Sequence, residues 1–181
     1  MKGFTRMAAT LLMITALALP ALSFAQGATK DDKLMNDCRD AKASFIKTDK
    51  LMESLFESSP GYVIFPNVGK GAIGVGGAAG NGILFEKGNA VGSASMKQVN
   101  VGFQFGGKAY REVIFFETQD ALDRFKQNKI EFDAQASAVA ATEGAAANVK
   151  YRNGVMVFTQ EKAGLMYEAS VGGQKFKYDA F

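Results

Sequence analysis

The chain has no histidine, no tryptophan, a single cysteine and three prolines in 181 residues. Without histidine and with a lone thiol, Cys38, it has no material for a Ser-His-Asp triad, a histidine or multi-cysteine zinc site, a histidine-ligated haem or a cysteine-held cluster. The scarcity of proline excludes a collagen-like or proline-rich chain. A strong excess of one charge is missing too. The 21 Lys+Arg stand against 18 Asp+Glu, which is not the concentrated basic stripe of a nucleic-acid binder. What is present is 48% hydrophobic and 22% charged residues, enough for one domain with its own core. A binding or structural role is expected, with no enzyme activity, no cofactor and no metal.

The first 25 residues read as an export signal. Lys2 and Arg6 precede the uncharged, largely apolar run Met7 to Leu19, and Pro20 breaks it ahead of Ser23-Phe24-Ala25. Small residues flank the expected cleavage after Ala25. The run would span only about 20 Å as a helix, against a hydrocarbon core of about 30 Å, so an uncleaved anchor is disfavoured. Gln26 rather than cysteine follows the cleavage point, so no lipoprotein is expected. The expected destination is the periplasm, peripheral to the outer membrane if membrane-bound at all. Cleavage leaves 19 Lys+Arg against 18 Asp+Glu. One cysteine forms no internal disulfide there, and Cys38 reads as a small buried hydrophobe.

Residues 26–33 read as a polar, frayed segment, and 34–181 as one domain, helical over 34–57 and sheet-rich over 61–181. Leu34, Cys38, Ala41 and Phe45, then Leu51, Met52, Leu55 and Phe56, recur at helical spacing. Thr48-Asp49 is placed to cap a second helix, and Ser58-Ser59-Pro60-Gly61 to stop it. Tyr62–Phe65, Val113–Phe116 and Val155–Phe158 are short runs apolar on both faces, as in central covered strands. Val99–Phe105 alternates as a half-buried strand. Gly106-Gly107, Asn153-Gly154 and Gly172-Gly173 supply hairpin-type turns, so the sheet is mainly antiparallel. Thr118 to Phe125 reads as a capped helix with Leu122 and Phe125 inward. Within it Asp120 and Asp123 are a solvated first turn rather than a catalytic carboxylate pair. Ala134 to Asn148 reads two ways, since alanine favours helix while the alternation of Ala136, Ala138 and Ala140 suits a strand, and the reading preferred is a strand ending near Thr142.

Twelve of the 20 glycines lie between Gly69 and Gly107. Gly69-Lys70-Gly71-Ala72-Ile73-Gly74 matches the dinucleotide fingerprint formally, but the glycines that continue through Gly76, Gly77, Gly80 and Gly82 oppose the helix which that site requires. They permit bulges and close packing. They also suggest a floor of backbone amides beside Lys70, Lys87 and Lys97, able to receive an anionic head group.

At this stretch the chain resembles the SYLF family, also called the Ysc84-type actin-binding or lipid-binding domain. Val63-Ile64-Phe65-Pro66, Lys70, Gly74-Val75-Gly76-Gly77 and Gly82-Ile83-Leu84-Phe85 echo its pattern, followed by Ala121 to Phe125, Asp133 to Ala141 and the strand pair from Gly154 to Tyr167. The likeness runs from about residue 34 to the end. It implies a lipid- or actin-binding domain, and export argues against actin and phosphoinositides. The expectation is an α+β domain with N-terminal helices packed on a curved, mostly antiparallel sheet or partial barrel, and one further helix near 118–127. Its expected partner is anionic lipid or a membrane surface. The alternative is a structural or protein-interaction module of the envelope.

Overall fold

The computed structural model describes residues 29–70, 77–99, 109–132, 137–162 and 168–181. The expected export signal, Gly71, Gly74 and Gly76, and the strand and turn expected over 100–107 lie outside them.

Helix α1 spans Lys30–Thr48. Thr29 fixes its start: the hydroxyl accepts from the Asp32 amide at 3.2 Å while the Asp32 carboxylate accepts from the Thr29 amide at 3.0 Å. This reciprocal cap satisfies two of the amides that a helix start leaves open, so the segment expected to fray is helical from Lys30 onward. Cys38, Ala41 and Phe45 form the buried stripe. Burial pushes the Cys38 thiol up to about 12, which leaves it an inert packing group. Helix α2 follows at Leu51–Ser58. Asp49, buried between the two, accepts from the Leu51 amide at 3.0 Å and, across the fold, from the Ala146 amide at 2.8 Å.

Among the described residues eight strands follow: β1 Gly61–Lys70, β2 Gly77–Glu86, β3 Asn89–Val99, β4 Tyr110–Phe116, β5 Ser137–Ala140, β6 Val155–Glu161, β7 Glu168–Ser170 and β8 Gln174–Ala180. Helix α3, Gln119–Lys126, lies between β4 and β5 with Thr118 accepting from the Ala121 amide. The sheet order is β7-β5-β6-β4-β1-β2-β3-β8, and every pairing is antiparallel except β5 with β6. The chain is thus α+β, with N-terminal helices on a mostly antiparallel sheet.

Alternation along β1 shows how both faces are covered. Val63 and Phe65 join one core with Leu122 and Phe125 of α3. Tyr62 and Ile64 join the other, with Cys38 and Phe45 of α1 and Phe56 of α2. A strand buried on both faces needs the uninterrupted apolar run seen in the sequence. Pro66 would leave a gap in a central ladder, and the register shifts at that point toward both neighbours.

The edge strands β7 and β8 are joined through Val171, Gly172 and Gly173 alone, so Ser170 and Gln174 are at most about 15 Å apart. Eight flat strands would span more than about 30 Å. The sheet therefore curls until its edges approach, and the Gly172-Gly173 turn joins the two edges instead of closing a hairpin. Residues leading out of α3 then line the β8 edge: the Phe132 amide donates to the Gln174 carbonyl at 3.1 Å and the Gly173 amide to the Phe132 carbonyl at 2.9 Å. Asn153-Gly154 does close a tight turn, with φ of 53° and 81° and reciprocal bonds between Arg152 and Val155.

Candidate functional site

The structure separates Lys87 from the other two lysines of the glycine-rich region. Lys97 pairs with Ala79 on one side and Lys175 on the other, in the row of Gly69. Position 70 lies in the adjacent row, with Ala78, Gln98 and Gln174. Lys87 is in the β2–β3 turn, about 25 Å of extended strand away from the row of Lys97. There it borders a shallow cleft shared with Lys42 and Glu57. Lys87 and Lys97 therefore lie at opposite ends of the β2–β3 ladder.

Nor does Gly80, which is in register with both neighbouring strands, present a free amide. Gly77, Gly80 and Gly82 belong to β2, which is paired with β1 on one edge and β3 on the other, so the ladders occupy this stretch of backbone. At Gly82 a Cβ would fall inside contact distance of the Ile64 carbonyl oxygen and 2.7 Å from Phe65 Cδ1. This glycine is there for close approach of strand to strand. At Gly69 nothing lies within 4 Å of the same added atom.

The convergence the sequence did not reveal is on the other side of the sheet. A cavity of about 810 Å³ is bordered by Arg124, Lys129, Lys150 and Arg152, with one carboxylate, Glu131. Its apolar lining comes from Val155, Met156 and Val157 of β6 together with Ile130, Phe132 and Val171. Val155 and Val157 belong to the core beneath α3, Met156 to the core beneath α1 and α2. The cavity is therefore bordered by both layers of the fold.

Local structure explains the opening. Among the described residues β5 pairs with β6 only at Val139↔Phe158 and Ala140↔Thr159, while the segment that leaves α3 pairs with β8 instead. Asn128, with φ of 59°, turns that segment, and its side chain accepts from the Tyr178 amide at 2.7 Å. On the opposite rim, the 3-10 turn Ala145–Asn148 leads into Val149–Arg152 and the Asn153-Gly154 corner. Arg124 joins the two rims, donating to the Asn153 carbonyl at 3.3 Å while its Nε lies 3.2 Å from Asp120. Asp120 is thus a surface ion-pair partner. Glu131 is paired with Lys175 at 3.2 Å. Among the described residues no carboxylate lies within ion-pair distance of Lys129, Lys150 or Arg152, and all three are exposed.

A buried polar row lies elsewhere in the fold. Gln174 donates to Glu112 at 2.9 Å, and Gln98 donates to the Gly172 carbonyl at 3.0 Å. Glu112 is fully buried, and among the described residues its Oε1 has no hydrogen-bond partner. Burial raises its carboxyl to about 7 against the partial opposition of the Gln174 bond. Burial, with Glu112 beside it, likewise raises the Tyr110 phenol. The sequence did hold a signal here. Ile114 and Phe116 face the α3 core, and strand alternation puts Glu112 and Tyr110 in the same phase.

Fold and site together define a helix-flanked, curled-sheet domain whose distinctive surface is a cation-rimmed apolar cavity, the outfit of a binding module. Residues 97–180 match the family Ysc84, described as "Las17-binding protein actin regulator", a similarity that covers a little under half of the chain. A segment of 86 residues is 31% identical to beta cell expansion factor A of Aeromonas veronii, covering 46% of this chain and 33% of that protein. The chain therefore spans about a third of that relative's length. The residues matched to the family contain the cavity's lining, and the family is one of binding domains.

Proposed function

We propose that this protein is a non-enzymatic envelope protein, exported by its N-terminal segment, that binds anionic lipid or phosphate head groups at a membrane surface. The observation that carries this reading is the gathering of Arg124, Lys129, Lys150 and Arg152 around one cavity with an apolar lining. Each such cation contributes about 1 kcal/mol near an anionic surface. Arg124 is already paired with Asp120, and the other three acting together give a useful association that weakens steeply with salt. The reading keeps the ligand class expected from the sequence and moves its site away from Lys70, Lys87 and Lys97.

Flotation with phosphatidylglycerol-containing vesicles tests it. The chain should float with them at low salt, be released by added salt, and ignore pure phosphatidylcholine vesicles. Lys150→Glu with Arg152→Glu should abolish flotation. Binding that persists unchanged in this variant removes the reading. The family description favours a second one, a module that docks on a protein partner. It would be supported by in-cell crosslinking to one envelope protein together with an absence of flotation. Export is checked separately by the mature N-terminus, expected at Gln26.

A further inference from the structure

The cavity does more than display charge, since its lining runs from exposed cations to buried aliphatic groups. A phosphate or carboxylate alone would use the rim and leave Val155, Met156, Val157 and Phe132 without a purpose in recognition. A neutral hydrocarbon would use those groups and leave three unpaired cations at the mouth. Only a molecule with both parts uses both. We propose that the cavity binds one molecule of a single-chain anionic amphiphile, its hydrocarbon chain along β6 and its head group between Lys129 on one rim and Lys150 and Arg152 on the other.

Three features support this. The volume of about 810 Å³ falls in the range of sites that enclose small ligands, about 300–1,000 Å³. The apolar lining is contributed by both cores, so the chain is received in the body of the domain and not on its skin. The charge is one-sided: the single lining carboxylate, Glu131, is held by Lys175 on β8, and Arg124 is committed to Asp120 and the Asn153 carbonyl. Lys129, Lys150 and Arg152 are left for the ligand. The inference rests on the head-group reading above but asks more of the site, because a surface binder needs no room for a chain.

The test uses the mature chain with monomeric probes: decanoate, dodecanoate and tetradecanoate for the carboxylate source, lauroyl lysophosphatidylglycerol for the phosphate source, and dodecyltrimethylammonium as the cationic control. Native mass spectrometry should show one equivalent of the anionic probes and none of the control. Affinity should rise about threefold to fourfold for each added methylene. Relative strength of the two anionic series tells which head group is preferred. Val157→Trp, filling the cavity, should abolish uptake while vesicle flotation persists. If circular dichroism shows that this variant does not fold, Val149→Trp on the half-buried rim serves the same purpose. Affinity independent of chain length, more than one equivalent, or unchanged uptake in a folded tryptophan variant overturns the proposal. Flotation without monomer uptake overturns it while leaving the head-group reading intact, whereas loss of both removes both.

Discussion

The glycine-rich strands β1 to β3 and the region around β6 are opposite solutions to the same problem of packing a sheet. In the first, long ladders pair row by row and Gly82 lets the backbones and the Phe65 ring close up. In the second, the β5–β6 ladder is short and a cavity remains. Among the described residues, the glycines of β2 that draw the eye in the sequence belong to the better-closed part of the fold. Glycine lowers the side-chain contribution to a surface, so a stretch rich in it is as suited to being covered as to receiving a ligand. Charged residues carry no such ambiguity once they converge, but convergence is invisible when it joins 124–131 to 148–153 across the molecule.

The largest effect expected from this contrast is at Gly82. A valine there must displace the Ile64 carbonyl and the Phe65 ring, neither of which has space to retreat, and should cost about 3 kcal/mol or more. Gly69→Ala, with nothing within 4 Å of the new atom, should stay within about 0.5 kcal/mol of the parent. Urea melts of the two variants measure the difference directly. Equal stability would mean that the two glycines play the same role and that β2 has room for a side chain at position 82.

Much of the architecture is legible from residue pattern. The runs around Ile64, Ile114 and Val157 declare doubly covered strands because burial on both faces removes alternation, and Thr118 announces the start of α3 because a hydroxyl there satisfies a helix amide. Asp49 was readable as a cap for α2 but not as the partner of Ala146, a contact made only by the fold. The same limit applies to the site. Lys129, Lys150 and Arg152 look like ordinary solvated cations in the chain, since nothing local distinguishes a lysine at a cavity mouth from one on open surface. Sheet curling, which brings the α3 exit against β8, is what gives them a common neighbour.

The buried row offers the next largest effect, and its sign is set by desolvation. Glu112 holds its proton up to about 7 in the folded chain, whereas an unfolded glutamate releases it near 4.5. The folded state therefore binds more protons between these values, and stability falls as pH rises through that window. The group's contribution amounts to about 3 kcal/mol, fully lost above the upper value. Glu112→Gln cannot ionise, so it should match the parent at about pH 4 and exceed it at about pH 8. Denaturant midpoints at the two pH values decide this. A parent whose midpoint advantage grows with pH would place the carboxylate in a polar setting instead.

The comparison between the two regions is sharpened next by charge reversal. Lys150→Glu with Arg152→Glu should weaken vesicle binding roughly 30-fold or more, taking about 1 kcal/mol for each cation. Lys87→Glu with Lys97→Glu, on positions the sheet holds far apart, should weaken it only by the long-range change in net charge, which salt largely screens. Co-flotation titrations at two salt concentrations separate these outcomes. Equal losses would return the glycine-rich side to the binding surface.

The smallest effect tests the outer counterpart of Glu112. Glu86, at the end of β2, accepts from Lys126 of α3 at 2.6 Å and from Gln119 at 2.9 Å, bonds that hold its carboxyl below the usual range, with Lys126 the main cause. A lowered carboxyl contributes stability above its unfolded value and loses it as pH falls, the reverse of Glu112. Both partners remain about a quarter exposed, so screening limits the pair to about 0.5–1 kcal/mol. Glu86→Gln should therefore be slightly less stable than the parent at neutral pH and indistinguishable from it at about pH 3, as read from thermal midpoints. The two carboxylates then titrate in opposite directions because one is held by a cation at the rim of the sheet and the other is governed by burial. Parallel pH trends in the two glutamine variants would show that burial and ion pairing have been assigned to the wrong residues.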